Sequence, residues 1–377
     1  MGRNTWDGVG AFYGLTGVLA ALWGSTLAAT DERLGLGPGR LGASLTALAI
    51  GGLVAMPVAG RLADRWTGRR LLRFAFPAAA LAMTGPALAP SALLLTLSAF
   101  VLGAQFGALN VALTVQAVDV EQSLGRPVIS RMHGIWALGA VAGGAAVSAG
   151  LRGGIGVSAL MAGGGVALAV LGATWGARLP VVVAAGRLGK SDEMPRSVVA
   201  LGLVGAAAFL TEGAATDWAG VHATRVLGAD PSTGSLVYTV FFAAMTVVRF
   251  AGDAVRARLG APVTLRLAGV VATVGYGLVL VPGLPARVVC ATVGWALAGA
   301  GMAMVWPVVI SALGSAGSRL SLATTVSYSG GLIGPALVGY VAARTTLPAA
   351  LLIPAGLALL VAAAAPSLVR IKEGSRK

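Results

Sequence analysis

A single glutamate stands inside an apolar stretch that is long enough to cross a membrane. Glu212 lies in AAAFLTEGAATDW, and no lysine or arginine lies near it along the chain. An ionised side chain at the centre of a bilayer costs about 2.5–3.5 kcal/mol on insertion scales. Glu212 must therefore face a cavity, find a partner or carry a proton. We predict a proton-coupling or substrate-binding carboxylate, with a structural hydrogen bond between helices as the alternative.

Two further titratable residues are candidates for handling protons. Asp217 is nearer the predicted outer boundary of the same helix, where a gate or an interfacial carboxylate is favoured over a proton site. His133 opens another apolar stretch and belongs to the residue type that titrates near neutral pH. It has no neighbours with metal-ligand spacing, so a packing or hydrogen-bonding role is favoured and no metal site is predicted.

One apolar helix carries a stripe of large side chains at spacings of four, three and four residues. The stripe comprises Tyr238, Phe242, Met245 and Arg249, and this spacing places all of them on one helical face. Asp253 follows Arg249 by one turn, and an Arg–Asp pair at that spacing neutralises both charges. We predict this structural pair near the inner boundary, with a contact between Arg249 and a substrate anion as the alternative.

Uncharged polar and aromatic side chains recur in several other apolar stretches. Each is more often a packing residue than a ligand contact, but together they supply the groups that bind a small organic molecule. They are Tyr13, Thr16, Trp23, Gln105, Asn110, Thr114, Tyr238, Trp306 and Tyr328.

The composition predicts a membrane protein. Of the 377 residues 57% are hydrophobic and 11% charged, and the mean hydropathy is +0.86. The net charge of +14 comes from arginines in short loops, whereas nucleic-acid binding needs a basic face on a soluble domain. The sequence contains no phosphate-binding loop, zinc motif or nucleophile triad. We therefore expect no enzyme activity and no cofactor.

Apolar stretches long enough to cross the bilayer recur along the whole chain. We predict an all-α polytopic protein with twelve spans, placed approximately at 8–30, 41–62, 71–89, 92–117, 129–150, 154–176, 197–217, 234–254, 263–282, 285–312, 320–343 and 347–368.

The basic residues predict the orientation of these spans. With both termini in the cytoplasm, only six of the 27 basic residues fall outside, and the other 21 fall inside. This asymmetry follows the positive-inside rule. The six outer residues are Arg33, Arg40, Arg152, Arg225, Arg287 and Arg344.

The two halves of the chain share a repeated glycine pattern. Gly60 and Gly68 flank a basic loop after the second span, and Gly252 and Gly260 flank another one 192 residues later. Internal repeats are typical of secondary transporters. We predict two pseudo-symmetric six-helix bundles, at 1–176 and 197–377, joined by a cytoplasmic loop at 177–196.

Glycine-rich stretches in the fifth and eleventh spans predict close helix packing, since small residues allow helices to approach in membranes. Such a surface also permits one helix to slide against another. The glycines are Gly139, Gly143, Gly144, Gly330, Gly331, Gly334 and Gly339.

The loop GRLADRWTGRR, residues 60–70, resembles the signature between helices 2 and 3 of the major facilitator superfamily. Thr67 is an extra residue before Gly68, so the turn must differ locally. The stretches at 120–144 and 211–229 resemble the bacterial inner-membrane permeases related to YbjJ.

The resemblance implies a secondary transporter that works by alternating access. Helices 1, 4, 7 and 10 line the central cavity in that family, which raises Asn110, Glu212 and Trp306 above the other candidates. We expect proton-coupled movement of a small organic solute across the bacterial inner membrane by a lipid-embedded monomer. Export is slightly favoured over uptake, and a receptor with this fold is the remaining alternative.

The resemblance also implies a cytoplasmic gate around the loop. Asp64 would meet the positive end of helix 11, Gly60 would allow helices to approach, and Arg65 or Arg69 would pair with Asp119 or Glu121. The predicted gate residues are Gly60, Asp64, Arg65, Gly68, Arg69, Asp119, Arg249 and Asp253.

Overall fold

The computed structural model describes residues 2–124, 129–176, 179, 196–313 and 317–374, and within these ranges it contains helices and no strands. The helices are α1 (Gly2–Gly24), α2 (Leu27–Leu34), α3 (Gly37–Arg65), α4 (Gly68–Ala82), α5 (Thr84–Leu88), α6 (Ala92–Leu124), α7 (Ile129–Arg152), α8 (Val157–Gly176), α9 (Arg196–Arg225), α10 (Pro231–Leu280), α11 (Arg287–Met302), α12 (Val305–Leu313), α13 (Gly317–Arg344), α14 (Leu347–Ala350) and α15 (Leu352–Gly374).

The described helices provide twelve segments that are long and apolar enough to cross a membrane. Their surfaces expose large apolar side chains, such as Leu93 at 69% and Val247 at 68%. Apolar side chains of this kind face lipid in a membrane helix. The predicted all-α polytopic fold with twelve spans is confirmed.

The two basic loops end their helices by different means. Trp66 has an extended backbone between α3 and α4, and the Thr67 hydroxyl caps α4 by accepting a hydrogen bond from the Arg70 amide at 3.2 Å. The additional threonine is therefore the N-cap of the next helix. The predicted gap between spans eight and nine is instead a kink in α10 at Gly260, whose φ of +74° suits glycine.

Contacts divide the chain into two compact units. One comprises Met1–Arg187 with Pro231–Thr239, and the other comprises Leu188–Asp230 with Val240–Lys377. The first turns of α10 thus pack with the first unit, where the Ser232 carbonyl accepts a hydrogen bond from Ser148 at 2.9 Å. The predicted loop at 177–196 lies almost entirely outside the described residues, and the two-bundle division remains a prediction.

In the first unit, α1 packs closely against α7, and α3 against α6. A side chain at Gly139 of α7 would fall on the carbonyl oxygen of Gly14 in α1. The two backbones can lie this close only because neither residue has a side chain at the crossing. The predicted close packing of the fifth span is confirmed at this position.

In the second unit, α9 packs against α13 in the corresponding way. A side chain at Gly330 of α13 would fall on the carbonyl oxygen of Ala206 in α9. The Trp218 indole donates a hydrogen bond to the Pro335 carbonyl at 3.0 Å and joins the same two helices. The close packing predicted for the eleventh span is confirmed there too.

We predict that Gly139→Ala lowers the stability of the protein by about 1–3 kcal/mol, because the added methyl group overpacks the crossing with α1. Gly163→Ala is the matched control, since its methyl group meets no described atom within 4 Å. Thermal unfolding of the two purified variants in detergent measures the difference. Equal midpoints would contradict the proposed close contact.

Candidate functional site

The intramembrane glutamate forms an ion pair with an arginine from another helix. Glu212 lies on α9 and Arg249 on α10, and Arg249 Nη2 donates a hydrogen bond to Glu212 Oε2 at 3.4 Å. Their side chains are 16% and 14% exposed, respectively. Both charges are thus largely removed from solvent and neutralise each other inside the second unit. Of the three possibilities for this carboxylate, which were a cavity, a partner or a bound proton, the structure shows a partner, Arg249.

The partner of Arg249 differs from the predicted one. Sequence spacing favoured Asp253, one turn later on the same helix, but the structure pairs Arg249 with Glu212, 37 residues away. Side chains on a helix lean toward its N-terminus, so Arg249 leans away from Asp253. The side chain of Asp253 lies outside the described part of the structure, so the predicted Arg249–Asp253 contact remains a prediction beside the observed pair with Glu212.

Three aromatic rings form a cluster in the same unit. Phe209 of α9 stacks on Tyr328 of α13 with ring centroids 4.8 Å apart, and it meets Trp306 of α12 at 5.3 Å. Phe209 precedes Glu212 by three residues, which places them on one face of α9. Tyr328 lies close enough to Glu212 and Arg249 to sense both charges. The structure therefore brings Trp306 and Tyr328 to the ion pair, as members of one candidate site.

Two residues of this site were missed by the sequence reasoning. In the sequence Phe209 looks like any apolar core residue. Only its position three residues before Glu212 links it to the site. Thr246 precedes Arg249 by three residues and is only 4% exposed, yet its hydroxyl has no hydrogen-bond partner among the described residues. A buried polar group without a partner costs free energy, so Thr246 is a natural contact for a solute or a water molecule.

At Gly213, the residue after Glu212, α9 and α13 are in close contact. Pro335 has no amide hydrogen, which deprives the Gly331 carbonyl of its usual helical donor. A side chain at Gly213 would begin 2.9 Å from that oxygen. The close approach brings the backbone of α9 against the free carbonyl and fixes the helix beside Glu212.

Asp217 lies further along α9 and is buried.

The candidates of the first unit lie on different helices. The rings of Tyr13 on α1 and His133 on α7 meet edge to face at 5.6 Å, which supports the packing role favoured for His133. The Thr16 hydroxyl donates a hydrogen bond to the Phe12 carbonyl, and the buried Trp23 indole has no partner among the described residues.

On α6 the candidate side chains point less deeply into the protein. Gln105 and Asn110 are half-buried and Thr114 is exposed, with its hydroxyl donating to the Asn110 carbonyl at 2.8 Å. Tyr238 is buried at the start of α10 and packs with the first unit near Gly144. Tyr238 is thus described with the first unit, although it shares a helical stripe with Arg249.

The predicted gate is close-packed at its second glycine. A side chain at Gly68 would begin 2.7 Å from Gln116 Oε1 and 3.4 Å from Asp119 Oδ2 of α6. At Gly60 no described atom lies within 4 Å of such a side chain. The close approach expected at Gly60 therefore remains a prediction.

The remaining gate residues are only partly described. Arg70 lies over the Trp66 ring with 4.6 Å between the guanidinium carbon and the ring centroid, which holds the loop against its own helix. Arg65 is exposed and Arg69 half-buried. The side chain of Asp64 lies outside the described residues, and its expected contact with helix 11 remains a prediction.

Among the described residues, no three His, Cys, Asp or Glu side chains form a group that could hold a metal ion. The described site contains one ion pair, the Thr246 hydroxyl and three aromatic rings, one of which carries the Tyr328 hydroxyl.

Twelve membrane-length helices among the described residues define a polytopic membrane protein. Over 376 residues the chain is 31% identical to an uncharacterised MFS-type transporter of Yersinia pestis, covering 96% of this chain and 94% of that protein. It is 30% identical to the uncharacterised transporter y4wD of Sinorhizobium fredii, covering 96% and 98%. The chain belongs to the major facilitator superfamily.

Comparison with solved structures gives the same fold. The nucleoside transporter NupG matches with a TM-score of 0.73 at 15% identity, covering 97% of this chain and 99% of that one. A bacterial homologue of the human lysosomal transporter Spinster matches with a TM-score of 0.63 at 16% identity, covering 98% and 96%. No protein-family model matches the chain.

We predict that Arg249→Met destabilises the protein by about 1–3 kcal/mol, because it leaves the Glu212 carboxylate without a donor. Adding Glu212→Gln in the same chain should recover much of that loss, since it removes the unpaired charge. Arg258→Met, at an exposed position of the same helix, is the control. Unfolding midpoints in detergent measure all variants, and simple additivity of the two substitutions would contradict the coupling.

Proposed function

We propose that the protein is a proton-coupled secondary transporter that moves a small organic solute by alternating access, with export as the favoured direction. The observation that carries the proposal is the Glu212–Arg249 pair inside the second unit. An ion gradient is the proposed energy source because the sequence has no phosphate-binding loop. The stretch at 211–229, which includes Glu212, also supports kinship with the YbjJ-related permeases.

The ion pair provides a physical link between a proton and a solute. When Glu212 is ionised, it neutralises Arg249 across the 3.4 Å contact. When Glu212 takes up a proton, Arg249 loses its counter-charge in a medium of low dielectric constant, where an unpaired charge is costly. A polar group of the solute can then replace the carboxylate as the partner of Arg249. Proton binding and solute binding are thereby coupled through one guanidinium.

The side chains around the pair favour a planar, amphipathic solute. Phe209, Trp306 and Tyr328 supply ring faces and edges, and aromatic rings prefer stacked or edge-to-face contacts with other rings. A carboxylate without a partner would favour a weakly cationic solute. Since Arg249 already neutralises that carboxylate, a neutral ring with hydrogen-bonding groups fits the described site better.

Uptake is the second candidate direction. The fold matches a nucleoside transporter, and a nucleobase is a planar ring with hydrogen-bonding groups. We therefore include nucleosides among the solutes to be tested. We place the protein in the bacterial inner membrane as a monomer with both termini in the cytoplasm, an orientation supported by the arginine asymmetry.

Reconstituted vesicles test the coupling. Purified protein is placed in liposomes that contain a pH-sensitive dye, and aromatic amines, aromatic acids and nucleosides are added in turn. A transported solute should move protons, and its direction of concentrative movement in oriented vesicles separates export from uptake. If no solute class moves protons in vesicles that contain folded protein, the receptor alternative is favoured.

We predict that Glu212→Gln abolishes gradient-driven transport of the solute identified in this way, while exchange of that solute without a gradient is retained. Glutamine can still accept a hydrogen bond from Arg249 but does not exchange a proton, so expression and folding should stay near normal. Glu32→Gln, at an exposed glutamate, is the matched control. Full proton-driven transport by Glu212→Gln would refute the coupling role.

We also propose that the 60–72 loop closes the cytoplasmic side, and we predict that Asp64→Asn shifts the protein toward the inward-facing state. In a Cys290→Ser background, which removes the one cysteine of the chain, Thr114→Cys reports accessibility on α6. Its labelling by an impermeant maleimide from the cytoplasmic side should increase in Asp64→Asn. Asp64→Glu keeps the charge and should not change it; equal labelling in all three proteins would remove Asp64 from the gate.

A further inference from the structure

The second unit contains a cavity at the end that is remote from the central loop. Its volume is about 280 Å³. It lies where α9 ends, where α10 gives way to the following loop and where α11 begins. The lining residues are His222, Val226, Leu227, Leu278, Val279, Leu280, Val281, Pro282, Leu284, Arg287 and Pro348.

The cavity is separate from the ion pair. His222 follows Glu212 by ten residues on α9, which corresponds to about 15 Å along a helix. The cavity wall shares no residue with the aromatic cluster. Nothing in the proposed coupling between Glu212 and Arg249 requires this cavity.

One polar group lies deep in the cavity without a partner. His222 is only 1% exposed, and its Nδ1 has no hydrogen-bond partner among the described residues. The ring meets Trp295 edge to face at 6.2 Å, which supports its orientation. A neutral imidazole can carry its proton on Nδ1, and in that form it is a hydrogen-bond donor in the cavity wall.

A positive charge stands at the rim of the same cavity. Arg287 is exposed, and its charge acts on His222. No ion pair with Arg287 is seen among the described residues. Arg287 is also the first residue of α11, where the unpaired amide hydrogens and the helix dipole favour a negative charge. A donor at depth and a cation at the rim thus face the same space.

The other walls of the cavity are apolar. Val226, Leu278, Leu284 and Pro348 line it and have hydrocarbon side chains. Apolar walls with a few convergent polar groups are typical of sites for small organic ligands. The cavity has the volume of about nine molecules of liquid water. A ligand that fits it is about as large as one substituted aromatic ring.

We propose that this cavity binds a small amphipathic anion, with its acidic group between Arg287 and His222 and its apolar body against the aliphatic wall. An aryl carboxylate has this chemistry, and so does the anionic end of a phospholipid. Charge on the ligand is essential because no described carboxylate pairs with Arg287. An uncharged molecule of the same shape would bind much more weakly.

Benzoate and its neutral counterpart benzamide test the proposal. Binding of radiolabelled benzoate to the purified full chain is measured by equilibrium dialysis in phosphatidylcholine nanodiscs. We expect saturable binding at one site and little competition from benzamide. Absence of saturable binding, or equal competition by benzamide, would overturn the proposal.

Variants locate the bound anion. Arg287→Gln should weaken benzoate binding about tenfold, since it removes a charge-assisted contact, and it should fold normally because Arg287 is exposed. His222→Phe keeps the ring and should weaken binding to a smaller extent. Arg344→Gln is the matched control, because Arg344 is exposed and lies over the Tyr340 ring instead. Unchanged binding in Arg287→Gln would refute the site.

Two more measurements separate the possible occupants and the two sites. Replacing phosphatidylcholine by phosphatidylglycerol should suppress benzoate binding only if the lipid headgroup competes for Arg287, and Arg287→Gln should then relieve the suppression. Without suppression, the free carboxylate is the occupant. Benzoate binding that is retained in Arg287→Gln but lost in Arg249→Met would place the anion at the ion pair and contradict the proposal.

Discussion

The hydrocarbon core of a bilayer contains no water, so the polar groups of this chain must be satisfied by the chain itself. Helices satisfy the backbone, and the contact between Glu212 and Arg249 satisfies two charges that neither α9 nor α10 could carry alone. That pair holds the two helices in register and stands beside Phe209 and Tyr328. The proposed coupling of a proton to a solute rests on this pair.

In a membrane the hydrophobic effect does not drive helices together. Close approach of the helices is therefore the second requirement of this fold. Each unit meets it with glycines at a helix crossing, through Gly139 in one and Gly330 in the other. The same crossing recurs in the two halves although the local sequences differ. In the second unit it also places Gly213 against the carbonyl that Pro335 leaves without a donor, next to the charged residue. Packing and the candidate site are therefore parts of one arrangement.

Some parts of the site were accessible from the sequence and others were not. Glu212 could be found because a charge in an apolar stretch is conspicuous, and Trp306 and Tyr328 because their helices were identified. The partner of Arg249 could not be found, since spacing along one helix offered Asp253 and gave no sign of α9. Phe209 and Thr246 have no sequence signal of their own. Their importance comes from lying one turn before Glu212 and Arg249, respectively.

The number and type of the membrane spans were determined by the sequence itself, because hydropathy is a local property that each segment carries without its neighbours. The resemblance of residues 60–70 to a family signature likewise needed no coordinates, although only the structure showed Thr67 as the cap of α4. Tertiary structure alone decided which charges meet, which glycine is crowded and where a cavity remains beside His222. These depend on atoms that lie far apart along the chain, and packing of the helices is what brings them within contact distance.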